Sequence, residues 1–250
     1  MSGPPWVLLR GLTRESRHWG LFPSLLARAV PGAQVIALDL PGNGALHALR
    51  SPARVEAMAA HCRAELRRLG VATPVHLLAM SLGAMVAPAW AVAAPQEIAA
   101  AVLINTSLRP FSAFHQRLRP ANYAVLLRLL VTRASAPAWE RAVLAMTSRA
   151  TDRDDRALLR AWIAYRRECP VSAANALRQL WAAARFRAPP ENPFKRVLLL
   201  GSAADALVDV RCTQQLARYW SCESRLHPWA GHDLALDDAA WVVAQVRDWA

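Results

Sequence analysis

Six short apolar runs recur along the chain, at Trp6 to Leu9, Gln34 to Leu40, Val75 to Met80, Ala101 to Asn105, Val197 to Leu200 and Ser224 to His227. Runs this short, apolar at nearly every position, predict strands buried on both faces. Between them lie stretches of helical period. The clearest is Pro52 to Leu69, with Val55, Ala59, Cys62, Leu66 and Leu69 on one stripe, Ser51 as the N-cap, Pro52 at the first helical position and Gly70 past the end. Alternating strand and helix predict an α/β fold, a parallel sheet with right-handed crossovers and helices on both faces.

The alternation lapses between Asn105 and Val197, where only helical patterns follow one another. Ser135-Ala136-Pro137 opens one near 137 to 148, Thr151 or Asp152 opens a second that runs to about 168, and Ser172 caps a third that runs to about 186. Trp139, Trp162 and Trp181 sit at helix-core spacing, and turn-rich LRPFS and RAPPENPF bound the stretch. The pattern therefore predicts a core of residues 1–106 and 196–250 with an all-helical insertion over 107–195.

Composition narrows the picture. A chain of 250 residues that is 54% hydrophobic and 19% charged can bury a substantial core and is far from disordered composition. Cys62, Cys169, Cys212 and Cys222 form no CxxC pair and have no histidine at ligand spacing, so no metal site or disulfide framework is expected. The start MSGPPWVLLRG has no basic segment followed by a long apolar run, and the expectation is a cytoplasmic protein with reduced thiols. The uncharged stretch from Leu69 to Gln96 is long enough to cross a bilayer, but Pro74, Gly83 and Pro88 interrupt it, and no membrane span is expected. The net charge of +12 is concentrated: residues 109 to 196 hold 17 Lys+Arg against six Asp+Glu, which leaves the rest at +1.

Chemistry enters at HLLAMSLGAMVA, where a strand turns sharply into a helix at Ser81. Such a turn needs small residues two positions to either side, a need met by Ala79 and Gly83, and the helix that follows aims its free N–H groups at any oxyanion forming there. This arrangement resembles the nucleophile elbow of the α/β-hydrolases, usually GxSxG, and the resemblance extends over almost the whole chain. It implies Ser81 as nucleophile, Asp205 of VLLLGSAADALVD as the acid and His232 of HPWAGHDLALDD as the base, in the family's order of Ser, Asp, His. Asp209 is the rival acid. His227 is the rival base, but it lies inside the last strand. The resemblance also implies an oxyanion hole from the backbone N–H of Leu12 and Leu82, a helical cap over the site at the insertion, and no cofactor.

The chain departs from the family in four places. Arg10 stands where a histidine is usual ahead of Gly11, either as a cation beside the acyl pocket or as the partner of a local carboxylate. Ala79 replaces the first glycine of the pentad. The first apolar run already starts at Trp6, so the antiparallel strand pair that usually opens the fold is not expected and six strands are, and Pro88 falls inside the helix after Ser81. PGNG, Pro41 to Gly44, reads as loop structure.

The expected activity is cleavage of a small-molecule carboxylic ester or thioester through an acyl-enzyme. Two other readings stay open: an acyltransferase on the same triad, and a silent member that binds a small ligand under its cap. The basic insertion is either compositional or a docking field for an acidic acyl carrier protein or a coenzyme A thioester, with Arg117, Arg119, Arg128, Arg153, Arg156, Arg160, Arg166 and Arg167 as candidate contacts. No recognition motif supports nucleic acid as the partner.

Overall fold

A computed structural model describes residues 3–132, 134–150 and 155–249. Its strands are β1 (Trp6–Leu9), β2 (Val35–Leu38), β3 (Val75–Met80), β4 (Ile98–Ile104), β5 (Val197–Ser202) and β6 (Glu223–His227). They form one sheet in the order β2-β1-β3-β4-β5-β6, with every pairing parallel. The inner strands β1, β3, β4 and β5 are largely apolar because successive side chains alternate between two covered faces. Trp6 and Leu8 of β1 pack with Leu78, Val102 and Leu198 under α1 (Phe22–Ala29) and α11 (Ala239–Trp249). Val7 and Leu9 face the other way, with Leu77, Leu103 and Leu199, under α2 (Val55–Arg68), α3 (Gly83–Ala93) and α9 (Arg211–Trp220).

Between β4 and β5 run α4 (Phe114–Arg117), α5 (Tyr123–Val131), α6 (Ala136–Thr147), α7 (Asp155–Glu168) and α8 (Ala173–Arg185). Among the described residues the only β pairing in this stretch is an isolated bridge between Arg109 and Arg187. Ser135 and Ser172 cap α6 and α8 by accepting from the N–H of Ala138 and Asn175. Thr151 and Asp152, read as openers of α7, lie outside the described residues. A short α10 (Leu234–Asp237) follows β6, and no described helix is long and apolar enough to cross a membrane.

Several expectations are corrected. β6 is an edge strand with Glu223, Ser224 and Leu226 exposed, and Arg225 binds Glu223 beside it, so it is not buried on both faces. α2 begins at Val55 after an extended Arg54, three residues later than Pro52, and Ser51 is not its cap. The Ser51 hydroxyl instead donates to the Pro41 carbonyl (2.6 Å), and its N–H donates to Asn175 Oδ1 (2.9 Å), which keeps the chain extended there. Trp139 and Trp162 are buried, but Trp181 is 55% exposed with Arg185 against its ring. The buried face of α8 is Asn175, Ala176, Gln179 and Ala182, and Trp181 lies off it.

The basic insertion also spends part of its charge internally. Glu140, 1% exposed, accepts from Arg14 of the core and Arg166 of α7. Those guanidinium groups cover the rings of Trp162 and Trp139, each at 4.3 Å. Arg119 faces Asp209, and Arg117 is bound to backbone carbonyls. Arg128, Arg156, Arg160 and Arg167 are exposed, and Arg153 lies outside the described residues.

Removing one partner of a buried charge cluster leaves the others uncompensated. Glu140→Gln is therefore expected to lower the unfolding free energy by about 3 kcal/mol, while Arg167→Gln on the exposed face leaves it unchanged. Denaturant titration of the two variants decides this, and equal small effects would show that Glu140 does not fasten the insertion.

Candidate active site

Ser81 stands between β3 and α3 at φ 54°, a left-handed conformation unusual for a residue with a Cβ. Its N–H donates to the Ile104 carbonyl (3.0 Å), which ties the turn to β4. A Cβ at Gly83 would lie 2.5 Å from the Leu9 carbonyl oxygen, so only glycine lets α3 start this close to the end of β1. A Cβ at Gly11 would lie 3.1 Å from that of Ser81, which puts the loop after β1 directly against the serine. Ala79, where the pentad usually has glycine, is fully buried in the core layer under α2 and α3, so its methyl is accommodated.

Asp205 and His232 come from the loops after β5 and β6, at the same carboxyl end of the parallel sheet as Ser81. Asp205 Oδ1 accepts from the N–H of Leu207 (2.7 Å) and Val208 (2.9 Å), and Oδ2 lies 2.7 Å from His232 Nδ1. Both side chains are almost completely buried. Asn105, at the end of β4 with φ 46°, holds the two loops together: its Nδ2 donates to the His232 carbonyl (2.8 Å) and Ser202 Oγ (2.9 Å), and its Oδ1 accepts from the Ser202 N–H (2.9 Å). His232 Nε2 is buried and has no partner, and Ser81 makes no hydrogen bond to it among the described residues.

The rival residues are occupied elsewhere. Asp209 is bound by Arg211, with Arg119 nearby, and these contacts pull its carboxyl down to about 2. His227 Nε2 lies 3.2 Å from Asp238, and its Nδ1 accepts from the Ala230 N–H (3.0 Å).

The loop after β1 carries the first candidate oxyanion donor. Neither the Leu12 N–H nor the Leu82 N–H has an acceptor among the described residues. Next to Leu12, the Thr13 N–H donates to Gln179 Oε1 (2.9 Å), and Gln179 Nε2 donates to Asn43 Oδ1 (2.7 Å) and Ser51 Oγ (3.0 Å). Asn43, the third residue of PGNG, donates to the Arg14 carbonyl (2.9 Å). This fully buried network was not found from sequence. The signal for it was two amides, Asn175 and Gln179, on the apolar stripe of α8.

Arg10 resolves toward the local pair. It is 2% exposed and grips Asp233 through two hydrogen bonds (3.0 and 2.6 Å), with its guanidinium 4.7 Å from the Trp19 ring. Its charge is thus taken up by the residue next to His232, not presented to an acyl pocket. Burial works against the charge of Asp233, but Arg10 outweighs it and holds the carboxyl below its ordinary value of 3.8. The same residue's N–H donates to the Thr147 carbonyl at the end of α6 (2.7 Å).

Residues 6–245 match the family model described as the alpha/beta hydrolase family. Among curated proteins no sequence match is found. Solved structures resemble the chain in fold. One is a protein provisionally assigned as the non-heme bromoperoxidase BpoC of Mycobacterium tuberculosis H37Rv, at 23% identity and TM-score 0.78, covering 99% of this chain and 91% of that one. A thermophilic esterase from Thermogutta terrifontis has 21% identity and TM-score 0.77, with coverages of 99% and 89%. A hydrolase from Pseudomonas aeruginosa PA01 has 17% identity and TM-score 0.77, with coverages of 98% and 89%.

The Arg10–Asp233 pair makes stability depend on pH with a definite sign. A carboxyl held below its unfolded value contributes fully above that value, and the contribution is lost as pH falls through the depressed one. Arg10→Met strands a buried carboxylate at a cost of about 3 kcal/mol. In urea unfolding the gap between variant and wild type is expected to be wide at about pH 7 and to close toward about pH 3. A gap of constant size would show that the ion pair is not its source.

Proposed function

The chain belongs to the alpha/beta-hydrolase family, and on that footing we propose that it hydrolyses a carboxylic ester or thioester through an acyl-enzyme on Ser81. The observation that carries this reading is the buried Asp205–His232 pair, whose free Nε2 lies at the sheet end where Ser81 is held in its strained turn. Asp205 fixes the imidazole with the proton on Nδ1, which leaves Nε2 as the base.

His232 Nε2 takes the Ser81 hydroxyl proton as Oγ bonds to the acyl carbon. The carbonyl oxygen becomes an oxyanion, received by the N–H groups of Leu12 and Leu82. The oxyanion collapses, the bond to the leaving oxygen or sulfur breaks, and the imidazolium returns its proton to that atom. Water then repeats the sequence on the acyl-enzyme, giving the carboxylic acid and free Ser81. Gln179 and Arg10 do not touch the reacting atoms. They position the Leu12 loop from either side of it, Gln179 through Thr13 and Arg10 through Asp233.

A fluorophosphonate probe read by intact mass tests the reading without knowledge of the substrate. Wild type is expected to take up one label and Ser81→Ala none, and a folded wild type that takes up none would favour ligand binding without catalysis. Against a reactive aryl ester, Asp205→Asn is expected to lose roughly a thousandfold or more in kcat/KM, with Asp209→Asn within about twofold of wild type. The reverse ranking would move the acid to Asp209.

A further inference from the structure

A cavity of about 580 Å³ lies under α4, α5 and α8. Its walls are largely apolar, Phe114 and Leu180 among them, and it reaches Met85, one turn along α3 from Ser81. Its charge is one-sided. Arg117 donates from Nε to the Ser107 carbonyl (3.3 Å), from Nη1 to Ala184 (3.3 Å) and from Nη2 to Ala183 (2.6 Å). Arg109, at the exposed rim, donates to the same Ala184 carbonyl (3.4 Å). Two cations thus converge on one oxygen, and among the described residues neither meets a carboxylate. Arg10, Arg14, Arg63 and Arg166, by contrast, each do. Burial, together with the charge of Arg109, pushes Arg117 down to about 10.

An anion between these groups would relieve their repulsion and supply the missing counter-charge. A guanidinium has five N–H donors, and the three used by Arg117 leave two, which matches a carboxylate in number. Ser107, Ser112 and Tyr123 add hydroxyl groups to the otherwise largely apolar lining. We propose that Arg117 and Arg109 form a carboxylate subsite, and that the substrate is an ester or thioester whose reacting carbonyl and distant carboxylate are joined by an apolar chain. The inference rests on the hydrolase reading for the word substrate, and on the cavity alone for the anion.

The test compares p-nitrophenyl half-esters of dicarboxylic acids with neutral p-nitrophenyl esters of equal chain length. Wild type is expected to favour the acid-bearing series by roughly tenfold or more in kcat/KM, mostly through KM. Arg117→Met is expected to abolish that preference, read as the ratio of kcat/KM between the two series. Arg117 also ties α8 to α4 and to Ser107 after β4, so Arg109→Gln at the exposed rim supplies a second variant, expected to reduce the preference without loss of fold.

General attraction to a chain of net charge +12 would respond as much to Arg167→Gln, and that result overturns the subsite. A binding arm needs no chemistry: calorimetric titration of Ser81→Ala with the monomethyl ester of a dicarboxylic acid against the neutral methyl ester of equal length. Efficient but indifferent hydrolysis overturns the subsite and leaves the hydrolase. Anion-selective binding without hydrolysis or probe labelling keeps the subsite and overturns the hydrolase.

Discussion

The loop that leaves β1 is bound at almost every residue to a different part of the molecule. Arg10 grips Asp233 beside the histidine, Gly11 lies against Ser81, Thr13 donates to Gln179 of α8, and Arg14 reaches Glu140 of α6. Arg17, a little further on, binds Glu168 of α7. Most of these groups are buried and several are charged, so each is costly unless its partner is in place. The loop can hold this shape only when the end of the sheet and the helices between β4 and β5 are both assembled around it.

Apolar contact can slide with little loss, whereas a buried amide or guanidinium accepts few geometries. Gln179 uses both ends of its amide, Asn43 both ends of its own, and Asn105 joins three loops through one side chain. Directional bonds of this kind fix the Leu12 N–H relative to Ser81 more tightly than packing alone could. The insertion is therefore part of the frame of the site.

How much of this could be read beforehand follows from how far each signal reaches along the chain. Strand and helix alternation is local, and the six strands were legible from it, as were the caps at Ser135 and Ser172. The turn at Ser81 was legible because Gly83 and Ala79 are within two positions of it. Asp205 and His232 were picked out by their order and their place after strands, and the structure brings their side chains together. Ser51 misled because its hydroxyl, the group that would have capped the helix, accepts from Gln179, 128 positions away. Trp181 and β6 misled because apolar spacing does not report which face has a neighbour. The partners of Arg10, Gln179 and Glu140 had no local signal, since a salt bridge across 223 positions leaves no trace in spacing.

The strand order has a consequence for synthesis. From β3 onward each new strand is laid beside the one before it, so the sheet grows outward in chain order through β4 and β5 to β6. A domain generally folds as a unit, and its amino-terminal part is synthesised first. Ser81 is therefore made early, whereas His232, the base of the proposed triad, follows only after the outermost strand. On the proposed mechanism, a chain cut short before β6 would carry Ser81 without its base and stay inert.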